Sequence, residues 1–189
     1  MRYSAEHKQE TRRKLLDAAA RRFTAQGYDG LGIDELTKEA GVTNGAFYSN
    51  FASKSEAFCA IVESGFDELA DGIARSQEEN GEAWLEAFAE FYFGDAKLNC
   101  PEETCPLPAL APEVARGPVE TKEAFQAHLD KVAREISGGL QDGDENRSQS
   151  WTLLALLAGG VLMARAVKDK AFAEEIAQSI RSAISDGKY

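Results

Sequence analysis

The sequence has few of the residues and patterns that mark secreted, membrane or disordered proteins. It contains 3 cysteines and 5 prolines in 189 residues, and its longest nearly apolar run, from Trp151 to Ala164, includes two glycines. Three cysteines are an odd number in a chain too large to depend on disulfides, which favours a reducing compartment. The apolar run is shorter than the roughly 20 residues that a membrane-spanning helix needs, and the N-terminus has no apolar signal core. We therefore expect a globular cytoplasmic protein.

The sequence also lacks the patterns of the common catalytic and metal sites. It has no G-x-S-x-G, no Walker loop and no G-x-G-x-x-G. Its two histidines, His7 and His128, are far apart, and Cys100 and Cys105 match no common zinc spacing. These absences predict a protein that is not an enzyme and that holds neither a metal nor another cofactor.

Helical periodicity dominates the chain, and no stretch alternates with the period of a strand. Apolar residues recur three or four apart in about nine segments, most of them separated by glycine or proline. Thr43 is a typical N-cap, and Ser53 with Glu56 forms a capping box that opens a long fourth helix. Gly27 suits the left-handed end of the first helix. The expected fold class is therefore all-α, with an N-terminal three-helix unit followed by a larger helical bundle.

The formal net charge of −11 is unevenly distributed along the chain. Residues 1–56 hold nine Lys or Arg and eight Asp or Glu, whereas the rest of the chain holds 12 and 24. A near-neutral N-terminal segment with basic clusters, followed by an acidic remainder, indicates that the two parts of the chain have different functions.

The second and third helices have the lengths of a helix-turn-helix, in which the second short helix enters the major groove of DNA. Ala40-Gly41-Val42 supplies the tight turn, and Phe47 and Phe51 supply apolar anchors four residues apart. We expect contact with DNA from residues that are mostly small, polar or basic: Thr43, Asn44, Gly45, Ala46, Tyr48, Ser49 and Lys54. Tyr48 would bind a phosphate, with a half-buried core position as the alternative. Lys54 stands in the first turn of a helix, where the dipole disfavours a cation unless an anion is near.

Residues Thr11 through Val62 resemble the DNA-binding domain of TetR-type bacterial transcriptional regulators. The likeness is carried by Ile33-Asp34-Glu35-Leu36, by the run from Ala40 to Tyr48 and by Phe51-Ala52-Ser53-Lys54. The resemblance implies a homodimeric regulator, in the first place a repressor, that binds a palindromic operator and responds to a small-molecule effector. Asn44 stands where the family often has Lys, and Ser49 where it often has His. The operator of a relative therefore cannot be transferred to this chain.

The same resemblance implies two domains. Residues 1–52 would form the DNA-binding domain, which extends into the fourth helix to about residue 68. Residues 53–189 would form the domain that binds the effector and dimerises. The candidates for an effector pocket are mainly aromatic, and plain core packing is their alternative: Phe66, Trp84, Phe88, Phe91, Tyr92, Cys105 and Phe125. The eighth helix is apolar on more than one side, so that one side needs a partner. The dimer interface is assigned to residues of the last two helices: Trp151, Leu154, Leu157, Val161, Phe172, Ile176 and Ile180.

Other functions stay open on the sequence alone. A thiol sensor would use Cys105 as a switch for electrophiles, with Cys100 as the resolving thiol, as some members of the family do. A helical bundle that binds or converts a small molecule without DNA is a second alternative. An interaction protein that has lost DNA binding is a third.

Overall fold

A computed structural model describes residues 5–94, Leu98, 106–140 and 147–187 of the chain. Every regular element within these ranges is helical, so the all-α fold class is confirmed. A 3-10 turn (Gly81–Ala83) precedes the fifth helix. The nine α-helices of the described ranges are α1 (Ala5–Gly30), α2 (Ile33–Glu39), α3 (Asn44–Tyr48), α4 (Lys54–Asn80), α5 (Trp84–Tyr92), α6 (Pro106–Arg116), α7 (Val119–Gly139), α8 (Arg147–Ala166) and α9 (Lys170–Ser185).

The chain divides into two compact units that are interleaved along the sequence. The first unit contains Met1–Ser64 and Ala109–Gln126, and the second contains Gly65–Pro108 and Ala127–Tyr189. The helix-turn-helix of the sequence therefore shares its unit with a later segment that includes most of α6. Compactness does not test whether residues 1–52 fold alone, so the domain limits drawn from the sequence stay a prediction.

The core of the first unit is built from phenylalanine rings of α1, the α3 region and α4. Phe23, Phe47, Phe51 and Phe58 are each at most 1% exposed. The ring centroids of Phe23 and Phe58 lie 4.9 Å apart, in an edge-to-face arrangement. Each buried ring stabilises the fold by about 1.5–3 kcal/mol. Burial of these four rings therefore stabilises the first unit.

A break in α1 joins it to α6 within the first unit. Gly27 has φ 76° and ψ 171°, outside the helical range. The backbone N–H of Tyr28 donates a hydrogen bond of 2.7 Å to the Glu113 carboxylate of α6. A Cβ atom at residue 27 would lie 2.7 Å from the same carboxylate oxygen. Glycine is therefore favoured here by the positive φ, and a Cβ atom would in addition force the Glu113 carboxylate to shift.

Local capping interactions set the starts of α3 and α4, as the sequence predicts. The Thr43 hydroxyl accepts a hydrogen bond from the Ala46 amide at 3.2 Å. The Ser53 hydroxyl accepts one from the Glu56 amide at 3.0 Å, and the Glu56 carboxylate accepts one from the Ala52 amide at 2.7 Å. The bonds from Ala46 and Glu56 satisfy amides that have no partner within their own helix, and the bond from Ala52 holds the residue before the cap.

The second unit packs α5, α8 and α9 closely around a glycine. A Cβ atom at Gly160 of α8 would collide with Ile180 Cδ1 and would lie 2.8 Å from Phe93 Cζ. On the side of α7, the hydroxyls of Ser137 and Ser150 are buried and lie 2.8 Å apart, within hydrogen-bond distance. Two different constraints therefore fix α8, one of them steric and the other polar.

Part of the dimer interface assigned from the sequence belongs to the core of the protomer itself. Four of its residues are at most 9% exposed: Leu154, Leu157, Val161 and Ile180. The assignment of these four is corrected, because a helix that is apolar nearly all round does not indicate which side faces its own chain. Trp151 and Phe172 are 37% and 52% exposed, and Ile176 is half-buried.

We predict that Gly160→Ala destabilises the second unit by about 1–3 kcal/mol, because the added methyl group overpacks the contact with Ile180 and Phe93. The measurement is the midpoint of thermal or chemical unfolding. The matched control is Gly138→Ala on α7, where the added Cβ meets nothing within 4 Å. Alanine is the better helix former, so the control should be slightly more stable than the wild type. Equal effects of the two substitutions would contradict the packing described.

Candidate nucleic-acid interface

The first unit carries an open groove between the start of α1 and the α2–α3 turn. Its volume is about 720 Å³. α1 contributes the polar and basic side chains of His7, Lys8, Thr11 and Lys14. The opposite wall consists of residues of the turn and of α3: Gly41, Val42, Thr43, Gly45, Ala46, Ser49 and Asn50. Four of the residues that the sequence predicts to contact DNA thus line one groove with two lysines.

Small residues leave the surface of α3 open on the groove side. Gly45 is exposed, and a Cβ atom placed on it would meet only the Thr43 hydroxyl, at 3.8 Å. Ala46 follows and adds a single methyl group. A phosphate backbone or a base edge can therefore approach the helix backbone here, which larger side chains would prevent.

Tyr48 points outward at the end of α3. It is 57% exposed, and its ring packs edge-on against Phe47 with the ring centroids 5.4 Å apart. The half-buried core position considered for this residue is therefore wrong. An exposed phenol hydroxyl held by a packed ring is well suited to donate a hydrogen bond to a phosphate oxygen.

Ser49 and Asn44 are exposed, but their polar atoms are bonded within the chain. The Ser49 hydroxyl donates to the Ala46 carbonyl oxygen at 2.8 Å. The Asn44 amide nitrogen donates to the Asp34 carboxylate at 2.5 Å, and its amide oxygen accepts from the Thr37 hydroxyl at 2.6 Å. Both residues lie where the sequence places them, yet neither has its full hydrogen-bonding capacity available for DNA.

Arg12 is a contributor that sequence reasoning missed, because an exposed arginine on a helix face is ordinarily just solvated. Its guanidinium donates to the Asn50 carbonyl oxygen at 3.2 Å and lies 4.5 Å from the centroid of the Phe51 ring. α1 therefore supports the C-terminal end of α3 through this side chain. The feature that reveals the role of Arg12 is its contact with the ring of Phe51, which lies 39 positions later in the chain. No local sequence pattern contains this contact.

The ammonium group of Lys54 is engaged inside the first unit. It donates to the carbonyl oxygens of Tyr28 at 2.7 Å and Leu31 at 3.1 Å, and it lies 4.3 Å from the centroid of the Tyr28 ring. The argument that an anion must offset its unfavourable place in the helix dipole is therefore corrected. Two carbonyl oxygens and an aromatic face supply the negative potential, and Lys54 ties α4 to the end of α1.

Comparison with known proteins assigns the α3 wall of this groove to a known domain type. Residues 15–61 match the family described as bacterial regulatory proteins, tetR family. This stretch contains α2, α3 and the start of α4, and it ends within the first unit.

The chain belongs to the TetR family of bacterial regulatory proteins.

The relatives agree with this assignment, and a solved structure agrees with the fold. The HTH-type transcriptional activator FasR of Mycolicibacterium smegmatis is 30% identical over 135 residues, which is 67% of this chain and 60% of FasR. The regulator AcrR of Shigella flexneri is 47% identical over 55 residues, 29% of this chain and 26% of AcrR. The chain thus matches less than two thirds of the length of either relative. The structure of reduced Escherichia coli NemR has a TM-score of 0.76 at 22% identity, with 91% of this chain and 95% of NemR covered.

The aromatic residues assigned to an effector pocket in this TetR-family chain fall into separate environments. Four of them are at most 5% exposed in the second unit: Phe66, Trp84, Phe88 and Tyr92. Phe91 is 61% exposed, and Phe125 is half-buried and belongs to the first unit. Phe88 and Phe91 line an open groove of about 520 Å³ between α4 and α5. Charged residues of α4 also line it: Glu68, Asp71, Arg75 and Glu79.

Cys59 is the one cysteine within the described residues, while Cys100 and Cys105 lie outside them. Burial raises the pKa of the Cys59 thiol, and the carboxylates of Glu120 and Glu56 raise it further. The thiol is therefore a poor nucleophile near neutral pH. The described residues contain no cluster of metal-ligating side chains, and no helix among them is long and apolar enough to cross a bilayer.

We predict that Lys54→Met destabilises the first unit by about 1–3 kcal/mol, because two carbonyl oxygens lose a charged donor. The measurement is the free energy of unfolding in denaturant. The control is Lys122→Met, which removes an exposed lysine of α7 in the same unit. If Lys54→Met keeps the stability of the wild type and instead weakens DNA binding in a salt-dependent way, the phosphate role first considered for Lys54 is restored.

Proposed function

We propose that the protein is a ligand-responsive transcriptional repressor that binds a palindromic operator as a homodimer. In this proposal, α3 enters the major groove, and a small molecule bound by the second unit releases the DNA. The observation that carries the proposal is the groove of the first unit, which has a volume of about 720 Å³. Two lysines of α1 line one wall of this groove, and the small residues of α3 line the other.

The charge distribution supports DNA as the occupant of the groove. Lys8 and Lys14 lie on the wall that α1 contributes, and α3 itself contains no carboxylate. All of the acidic excess of the chain lies beyond residue 56. Lysines that neutralise phosphates release counterions, so affinity should fall steeply as the salt concentration rises.

Repression is the simpler regulatory mode for such a protein, because occupancy of the operator alone can exclude the polymerase. The relative FasR is named as an activator, so a reporter gene behind the operator is needed to decide the sign. Release by an effector requires only that the effector prefers a conformer of the dimer in which the two DNA-binding units are wrongly spaced for the operator.

The exposed apolar residues of α8 and α9 support the homodimer. Four of the seven large exposed hydrophobic residues in the described chain lie on these two helices: Trp151, Leu162, Met163 and Phe172. Ala155 and Gly159 lie between Trp151 and Leu162 on α8 at helical spacing, and a Cβ atom at Gly159 would meet nothing of its own chain within 4 Å. We assign the dimer contact to this face, since a clustered apolar patch marks an interaction surface.

We expect Tyr48→Phe to weaken binding about tenfold for every duplex without changing the preferred sequence, because a phosphate contact carries no base information. Duplexes would be selected from a random pool by the full chain, and affinities measured at several salt concentrations. Tyr92→Phe, the same chemical change in the second unit, is the control. Unchanged affinity of Tyr48→Phe at all salt concentrations would disprove the phosphate contact.

We expect Leu162→Glu to produce monomers, because a carboxylate in the centre of the apolar face cannot be solvated in the dimer. Static light scattering at micromolar concentration is the measurement. Val119→Glu is the matched control, because Val119 is 62% exposed and lies in the first unit. A monomeric wild-type protein, or a dimeric Leu162→Glu variant, would count against this interface.

A further inference from the structure

Asn44, the first residue of α3, has both functional atoms of its amide committed to α2. Its nitrogen donates to the Asp34 carboxylate at 2.5 Å, and its oxygen accepts from the Thr37 hydroxyl at 2.6 Å. We name these three residues the Asp34–Asn44–Thr37 cluster. They connect two helices through two hydrogen bonds, in addition to the backbone bonds of the turn.

Each bond of the cluster has a physical reason to persist. Thr37 is only 3% exposed, so its hydroxyl needs a partner inside the protein. That hydroxyl also lies 3.2 Å from the backbone oxygen of Asp34, but the shorter contact to Asn44 is the better path for its single proton. The bond to Asp34 has a charged acceptor, which makes it stronger than a bond between neutral groups.

A bidentate base contact through the same N–H and the same oxygen lone pair would disrupt these bonds. An asparagine recognises adenine through a pair of bonds, one from its amide nitrogen and one to its amide oxygen. In this chain the same two atoms bind Asp34 and Thr37. Turning the amide toward a base would leave the Asp34 carboxylate without this donor, on a helix-turn-helix that is to approach phosphates.

We propose that Asn44 is a positioning residue that ties the start of α3 to α2 through Asp34 and Thr37, and that it does not read a base. The proposal rests on the DNA-binding function proposed above. It leaves base contacts to the residues after Asn44. Among these, Ser49 has only an oxygen lone pair to offer, because its proton is donated to the Ala46 carbonyl oxygen and its oxygen also accepts from the Asn50 amide.

The first test compares Asn44→Ala, Asp34→Ala and the double variant with the wild-type full chain. Each protein selects duplexes from a random pool, and its affinity is measured for the preferred duplex and for every single-base variant of that duplex. Each single substitution should lower affinity about tenfold for all duplexes alike. The double variant should bind no worse than Asn44→Ala, because that substitution already removes the bond to Asp34. If Asn44→Ala instead relaxes discrimination at one base pair of each half-site and Asp34→Ala does not, Asn44 reads that base.

The second test exchanges the two partners. Asp34→Asn combined with Asn44→Asp reverses the hydrogen bond, keeps the net charge, and lets the Thr37 hydroxyl donate to the new carboxylate. The preferred duplex should be retained, while the carboxylate that the exchange moves onto α3 lowers affinity equally for every duplex. A swapped protein that no longer distinguishes one base pair would overturn the proposal, because a purely positioning pair survives reversal and a base-reading amide does not.

The third test separates this proposal from the function on which it rests. If the wild type enriches no duplex, the DNA-binding function fails, but the cluster can still be examined by thermal unfolding of the same variants. The melting-temperature losses of Asp34→Ala and Asn44→Ala should be non-additive in the double variant, and the swapped pair should melt near the wild-type temperature. Additive losses would show that the two residues do not act together, and the positioning role would be wrong.

Discussion

The surface proposed to face DNA depends on the burial of Phe47 and Phe51. A helix of five residues is not stable alone in water, because nucleation costs more than so few backbone hydrogen bonds can offset. α3 keeps its shape because both rings are anchored in the core of the first unit, and because Arg12 supports the ring of Phe51. The orientation of the small outward residues is therefore set by what lies beneath them, and not by the helix itself.

The parts of this architecture that the sequence predicts are those governed by neighbours in the chain. The Thr43 cap and the Ser53–Glu56 capping box follow from spacings of three residues, and the structure shows both sets of bonds. The all-α class follows from periodicity summed over many turns, where single misleading residues average out. The DNA-contact assignments of the sequence, including that of Tyr48, stay predictions, although the exposure of Tyr48 agrees with its proposed role.

The remaining features depend on residues distant in sequence or on the choice between equivalent faces. Lys54 binds carbonyl oxygens 26 and 23 positions earlier, so its local helix position misled the argument about phosphate. Asn44 is held from 10 positions away by Asp34. Leu157 and Leu162 are equally apolar, and only the packing of α8 against the rest of its unit buries the first and exposes the second.

The bond between Glu113 and the Tyr28 amide has a consequence for transferring the helix-turn-helix segment from one regulator to another. The chain passes from one compact unit to the other three times, after residues 64, 108 and 126. A recombination joint placed just after the helix-turn-helix would leave behind both Lys54 and the segment that carries Glu113. The transferred segment would then lose the Lys54 ammonium group, which donates to the carbonyl oxygens of Tyr28 and Leu31. It would also lose the Glu113 carboxylate, which accepts from the Tyr28 amide. The segments that keep these bonds are therefore discontinuous in sequence, and a chimera that carries α1 to the start of α4 together with residues 109–126 retains all three of them.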